Sequence, residues 1–437
     1  MKALLLLSSC CVLLCLSACT GGGEDTPSTP ETPTSITVSG KVLDESSRPV
    51  ANVRVFVPGN NRQPVRTDAS GAFSVPDVTP PYDIVTVAPG KEDLILLKGL
   101  TLRAPTLFVS SDDSAPRKAT LAGTVSGGQT PYSTTNEPSL TFISPEVSEE
   151  LYPLNRTTGA FSTSVSWGGP AATTGSIHAL QSVGSSASGA PTSFIAYGRL
   201  DNVTLAEGGT FSGKDVVMRG VTNSTLAGTL TLPGGYTTTS VRLKAQLPSA
   251  PLDLFFVSRP NNSFSYPVPV LEQATYSLEV SATKEADGVR FITERVQAGL
   301  AAGSTTPLVL AESPELLQPA NGARGVARST PLSWTATAGG VSLVQLSLDT
   351  PTSPRWVIIT REATTELPDL SALGLNPSAN TELTWGVATL DGLESVDALV
   401  EQQLNNLEKT DAALRTGKRS ASIRFTFGRT FTVSGTP

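Results

Sequence analysis

The sequence predicts an all-β chain of tandem Greek-key β-sandwiches, with one inserted helix near the C-terminus. Three observations carry this. Many short runs alternate apolar and polar residues with the period of two that a half-buried strand requires. Thr and Ser are abundant, and 38 Gly and 33 Pro serve the turns. A Gly-centred strand signature recurs three times, in the same order relative to later turn and strand signals. The chain has 437 residues, which suits roughly three or four domains of ~100–150 residues.

The chain opens with Lys2, then an apolar run from Ala3 to Leu16. At fourteen residues this run is shorter than the ~20 a membrane-spanning helix needs, so it reads as a signal peptide. Leu16-Ser17-Ala18-Cys19 closes it and resembles the lipobox of bacterial lipoproteins. The resemblance implies a signal peptide over 1–18, cleavage between Ala18 and Cys19, and lipidation of Cys19, whose acyl chains would hold the protein to a membrane. Thr20 stands where an inner-membrane-retained lipoprotein would carry Asp, so the resemblance favours the outer membrane of a two-membrane cell. All four cysteines (Cys10, Cys11, Cys15, Cys19) precede residue 20. The mature domains therefore have no disulfide and no thiolate chemistry. Residues 19–34 hold no large apolar side chain and read as a disordered tether. From Thr20 the tether reaches at most ~50 Å.

Ser35 to Ser111 reads as the first sandwich. Ile36-Thr-Val38-Ser-Gly40-Lys-Val42 is its opening strand, and Val53, Val55 and Val57 line the next. Thr67-Asp-Ala-Ser-Gly71 is a tight turn before Phe73 and Val75, and Pro80-Pro-Tyr82-Asp-Ile84 starts another strand. This order resembles the carboxypeptidase regulatory-like domain, a transthyretin-like sandwich that is not the catalytic part of its namesake enzymes. Ser47 and Pro81 depart from the family pattern where Gly is usual. A related pilin-type sandwich forms an isopeptide bond from a first-strand lysine; Lys41 is the corresponding residue, and its parity places it toward solvent.

Leu121-Ala-Gly123-Thr-Val125 and Leu226-Ala-Gly228-Thr-Leu230 repeat the opening strand, giving diverged sandwiches at 117–219 and 221–311. Ser182 to Pro191 is a loop insertion. Residues 313–437 resemble a fibronectin type III-like domain, on Pro314 to Ala323 followed by Pro331-Leu332-Ser-Trp334. The departure there is Asp391 to Arg415, where Leu393, Val396, Val400, Leu404, Leu407 and Leu414 share one side of a helix. Such a helix either covers its own domain or binds a partner. Short joints between the domains favour an elongated row, with the fourth domain farthest from the anchor.

Little in the chain points to chemistry. The net charge of −7 and the lack of a basic run argue against nucleic acid. His178 is the only histidine, so a multi-histidine metal site is excluded, and alternation with Ile177 predicts that it faces solvent. Gly208-Gly-Thr-Phe-Ser-Gly213-Lys214-Asp215 approaches a phosphate-binding loop, but Asp215 replaces the Mg²⁺-ligating hydroxyl, so it reads as a Gly-rich hairpin. No cofactor, metal ligand or catalytic residue is expected. Trp334 and Trp385 share parity with core positions. Trp356 lies in Arg355-Trp-Val-Ile-Ile359, where both parities are apolar. The function expected is that of a non-catalytic, lipid-anchored envelope protein acting as spacer, adhesion or assembly component. The alternative is an accessory module that binds an envelope glycan or a protein partner; exposure of Trp356 or Trp167 would favour it. A hydrolase would need a cleft with converging carboxylates.

Overall fold

The computed structural model describes residues 34–60, 63–90, 93–110, 116–185, 189–248, 250–336, 339–348, 355–405 and 420–434. Ala18, Cys19 and nearly all of the expected tether lie outside the described residues, as do 406–415 of the expected helix. Ser35–Pro437 forms one compact unit.

The first sandwich comprises β1 (Ile36–Leu43), β2 (Arg54–Phe56), β3 (Val65–Arg66), β4 (Ala72–Val78), β5 (Tyr82–Val87), β6 (Leu94–Leu100) and β7 (Thr106–Phe108). Its sheets run β4-β1-β7 and β3-β2-β5-β6. The second comprises β8 (Arg117–Gly127), β9 (Pro138–Ile143), β10 (Ser148–Glu150), β11 (Ala160–Trp167), β12 (Ala172–Ser185), β13 (Pro191–Ala206), β14 (Thr210–Phe211) and β15 (Val216–Gly220). The third comprises β16 (Asn223–Thr231), β17 (Thr237–Gln246), β18 (Pro251–Ser258), β19 (Ser263–Pro269), β20 (Thr275–Ala286), β21 (Val289–Leu300) and β22 (Thr305–Val309). Much of the wiring recurs. An opening strand pairs antiparallel with the fourth strand and parallel with the last, as in β19-β16-β22, and four others follow the order β3-β2-β5-β6, β10-β9-β12-β13 or β18-β17-β20-β21. In the second, β14 also pairs with β8 and β15 also pairs with β13, which joins its layers into one eight-stranded sheet.

The recurrent glycine has a steric cause. Gly40, Gly123 and Gly228 each face an aromatic residue across the sheet: Phe73, Phe161 and Phe264. A Cβ at any of them would collide with the backbone carbonyl of Pro105, Lys214 or Thr306 on the other side. Ser47, where the family has Gly, adopts φ 63°, a left-handed conformation that strains a residue with a Cβ. Lys41 is exposed, as its parity predicts.

The fourth sandwich comprises β23 (Leu316–Gln318), β24 (Ala323–Val326), β25 (Leu332–Trp334), β26 (Gly340–Leu348), β27 (Arg355–Thr360), β28 (Thr364–Thr365), β29 (Glu382–Asp391) and β30 (Ala421–Val433). Three strands, β23-β25-β28, form one layer, and β30-β29-β26-β27, with β24 parallel to β30, form the other. This second layer does not end at its own edges. β30 pairs antiparallel with β21 of the third sandwich, and β27 pairs parallel with β6 of the first. One thirteen-stranded sheet therefore runs through three sandwiches. The last sandwich folds back on the first, which corrects the expectation of a row with the fourth domain farthest away.

Both faces of this junction are buried. On one face Ile84, Leu97, Ile359 and Leu343 stand in register and belong to a core that also holds Val38 and Val42 of β1. On the other, Val85, Leu96, Ile358 and Val344 stand in register and join a core holding Trp334, Trp385 and Phe431. The outer face of the first sandwich thus extends the interior of the fourth, and the outer face of the fourth extends the interior of the first. This explains Leu94-Ile-Leu-Leu97 and Trp356-Val-Ile-Ile359. Parallel strands buried on both sides read as continuous apolar runs.

Of the expected helix, residues 391–405 are described. Asp391 ends β29, and α1 spans Val396–Glu401, with the Ser395 hydroxyl capping the Ala398 amide at 3.0 Å. Leu393, Val396, Leu399, Val400 and Leu404 are buried in the core that the first and fourth sandwiches share. The helix region covers its own sheet and reaches the first sandwich together. Asp397 accepts from the Thr101 amide at 3.0 Å, and Asn405 Nδ2 donates to the Thr106 carbonyl at 2.9 Å.

Candidate binding cleft

The two aromatic candidates do not form a binding face. Trp356 is 4% exposed and Trp167 is 2% exposed, so neither ring is open for stacking. Trp167 donates Nε1–H to the Pro170 carbonyl at 2.9 Å inside the second sandwich. Trp356 lies in the core shared by the first and fourth sandwiches. The strand parity of Trp334 and Trp385 places both in that core, as expected.

His178 is fully buried, a second correction. Its side chain does point away from Ile177 and Ala179, which fill the second sandwich's own core. Leu180, two residues on and so on the same face, enters the core of the third sandwich with Ile143 and Phe194. The outer face that alternation assigns to solvent is thus an interface. His178 Nδ1 bonds the Tyr197 hydroxyl at 2.9 Å, and Nε2 is buried without a partner. Burial, with the Arg199 guanidinium adding to it, lowers the imidazole pKa to about 4, against a weaker opposing pull from Asp201. Arg199 pairs with Asp201 at 2.6 Å, and Asp201 accepts from Ser176 Oγ at 2.7 Å. The hydroxyl in contact with His178 is that of Tyr197, whose pKa burial pushes up to about 12.

The Gly208–Asp215 segment is structural. Thr210–Phe211 forms β14, and Asp215 accepts from the Thr124 amide at 2.9 Å and its hydroxyl at 2.7 Å. That carboxylate fastens the hairpin to β8, where a phosphate loop would leave amides free.

A cleft of about 500 Å³ opens where the third and fourth sandwiches meet. The β20–β21 hairpin supplies Lys284, Asp287, Val289 and Phe291; the connection supplies Glu312 to Glu315; and β30 supplies Arg424 and Arg429. β21–β30 pairing brings the hairpin and the last strand together. The connection is pinned on both sides: Ser313 Oγ donates to the Ile292 carbonyl at 2.7 Å, the Ser313 amide donates to the Tyr236 hydroxyl at 3.1 Å, and Thr426 Oγ1 donates to the Pro314 carbonyl.

The charges are layered by depth. The Arg424 side chain is 8% exposed; it pairs with Asp391, donates Nη1–H to the Glu312 carbonyl at 3.0 Å, and buries Nε without a partner. Lys284 Nζ lies 5.4 Å from the Phe291 ring centre and 5.7 Å from that of Tyr236, positions that favour a cation. It is 3.7 Å from the Glu312 carboxylate, whose own side chain is 66% exposed. Arg429 donates Nη1–H to the Leu317 carbonyl at 3.1 Å and is half-buried. Asp287 and Glu315 are exposed. The cleft has carboxylates at its rim and cations deeper in. No group of His, Cys, Asp and Glu suited to a metal occurs among the described residues. The sequence gives no local sign of this cleft, because Lys284 and Arg424 meet only through long-range strand pairing.

Residues 37–104 match the carboxypeptidase regulatory-like domain family. No curated protein matches the chain. Among solved structures, the Bacillus anthracis TIE protein is similar at 11% identity, over 64% of this chain and 50% of that one, with TM-score 0.15. BcpA, the major pilin subunit of Bacillus cereus, is similar at 10% identity, over 64% of this chain and 100% of that one, with TM-score 0.15. The pilus adhesin SpaC from Lactobacillus rhamnosus GG, in its open conformation, is similar at 12% identity, over 65% and 44%, also with TM-score 0.15. The chain thus spans half the length of the TIE protein. At these scores the likenesses carry no functional argument.

Proposed function

We propose that this is a non-catalytic, lipid-anchored envelope protein whose β body presents a ligand cleft outside the cell membrane. The observation that carries the reading is the junction of the first and fourth sandwiches. Parallel pairing of β6 with β27 and two shared cores turn separate modules into one body. Such a body suits a spacer, adhesion or assembly component. The match over residues 37–104 supports a non-catalytic module. The two-layer all-β layout of residues 316–433 supports the fibronectin type III-like reading. Lipidation of Cys19 and the outer-membrane location rest on the lipobox residues and Thr20.

The test is metabolic labelling with an alkyne-tagged fatty acid, followed by membrane fractionation. Wild-type protein takes the label and sediments with membranes; Cys19→Ser takes none. An unlabelled wild-type protein would sink the anchored reading. A second reading, an accessory module for an envelope glycan or protein, is favoured by the cleft at Lys284 and Arg429. It is read by capturing partners on residues 20–437 and by screening that fragment on cell-wall polysaccharides.

A further inference from the structure

We propose that the cleft between the third and fourth sandwiches binds a carboxylate-bearing pyranose, a sugar of the uronic acid type, an inference resting on the reading of this cleft as a ligand site. Its volume of about 500 Å³ is within the range of small-ligand sites and admits a sugar of one or two rings. Val289, Phe291 and Pro314 make part of the lining apolar; Val289 and Pro314 are buried, and Phe291 is half-buried with Lys284 Nζ over its ring.

The charge layering selects the anion. Arg424 is held by Asp391 and the Glu312 carbonyl, so it fixes the field of the floor without reaching out. Lys284 is the donor within reach: its side chain is 30% exposed, and its contact with the Glu312 carboxylate is long at 3.7 Å. Arg429 spends Nη1 on the Leu317 and Pro319 carbonyls at 3.1 and 3.4 Å, and its fork has further N–H donors. A ligand carboxylate between Lys284 and Arg429 gains charge-assisted hydrogen bonds at the less hydrated end of the cleft.

The rim selects the rest of the ligand. Three cations and three carboxylates line the cleft, and Arg424 is already paired with Asp391. A ligand with one negative charge therefore meets less repulsion from Asp287, Glu312 and Glu315 than a phosphate dianion does. Those carboxylates are acceptors only, and sugar hydroxyls are donors that suit them. A bare carboxylate tail lacks those donors.

Calorimetric titration of the lipid-free chain 20–437, which holds the whole compact unit, tests this with four probes: methyl galactosiduronate, its methyl ester, the neutral methyl galactoside and inorganic phosphate. The acid binds at least about tenfold more tightly than its ester or the neutral sugar, and its affinity falls with added salt. Lys284→Met and Arg429→Gln each weaken it by about tenfold, Lys284→Arg retains most of it, and all three variants melt as wild type does. Equal affinity for acid and ester overturns the proposal. So does failure of the acid to bind a chain that melts normally, or retention of binding in both neutral variants. Phosphate displacing the acid would mark a plain anion site and overturn the sugar assignment. Each of these failures leaves the anchored reading standing, because lipid labelling decides that separately.

Discussion

Two joints in this protein are built in opposite ways. The first and fourth sandwiches meet through backbone: β6 pairs with β27, and each sandwich lends its outer face to the other's core. The second and third meet through side chains, with no strand pairing between their sheets among the described residues. Ile143, Leu180 and Phe194 enter the third sandwich's core, Asn223 bonds both the amide and the carbonyl of Phe194 at 2.7 and 2.8 Å, and His178 is buried beside them. The backbone joint is apolar on both faces and has little to titrate. The side-chain joint keeps a histidine whose neutrality is a condition of its burial.

The largest effects belong to the backbone joint. Leu96 and Ile358 are paired residues in one core, so Leu96→Ala and Ile358→Ala each cost about 2–5 kcal/mol. Because they touch one another's cavity, the double variant departs from additivity by about 0.5–3 kcal/mol, measured by urea unfolding. Strict additivity would mean that the two strands fold as parts of separate domains.

The side-chain joint gives the next effect, and it depends on pH. The unfolded chain protonates His178 near 6.5, whereas the folded chain resists until about 4. The unfolded state therefore binds more protons between these values. This contribution to stability is intact above pH 6.5 and declines as pH falls toward 4, by about 3 kcal/mol in all. Wild type minus His178→Asn, compared by urea midpoint across that window, isolates the slope. A flat difference would place His178 in solvent. The smallest effect lies away from both joints. Ser47 sits at φ 63°, so Ser47→Gly relieves left-handed strain of about 1–2 kcal/mol, and glycine's greater unfolded freedom cancels part of it. A rise in melting temperature of a few degrees or less is expected; a fall would show that the serine hydroxyl matters more than its backbone.

These contrasts also mark what the sequence could tell. The three related sandwiches were legible because a steric demand repeats locally: a glycine opposite an aromatic, with a carbonyl against its bare Cα. The joints were legible only in part. The run at Trp356 to Ile359 is apolar at every position, which signals burial on both faces, but nothing local names Leu94 to Leu97 as its partner. Alternation correctly turned His178 away from its own core. Its exposure was misjudged because period two reports which face a residue takes and is silent on what covers that face. The periodic stripe after Asp391 marked Leu393, Val396, Val400 and Leu404, which are buried, and α1 spans six of the described residues, Val396–Glu401. The cleft cations lie in segments joined by β21–β30 pairing, so strand reading alone could not assemble them.

Amide hydrogen exchange on the chain truncated after residue 311 tests the central claim most directly. Without the fourth sandwich, β6 loses its neighbour and Val85, Val87, Leu94 and Leu96 face water. The account predicts that β5 and β6 lose protection by orders of magnitude while β12 and β13 keep theirs. Unchanged protection in β6 would contradict it, and would show that the first sandwich is a domain in its own right.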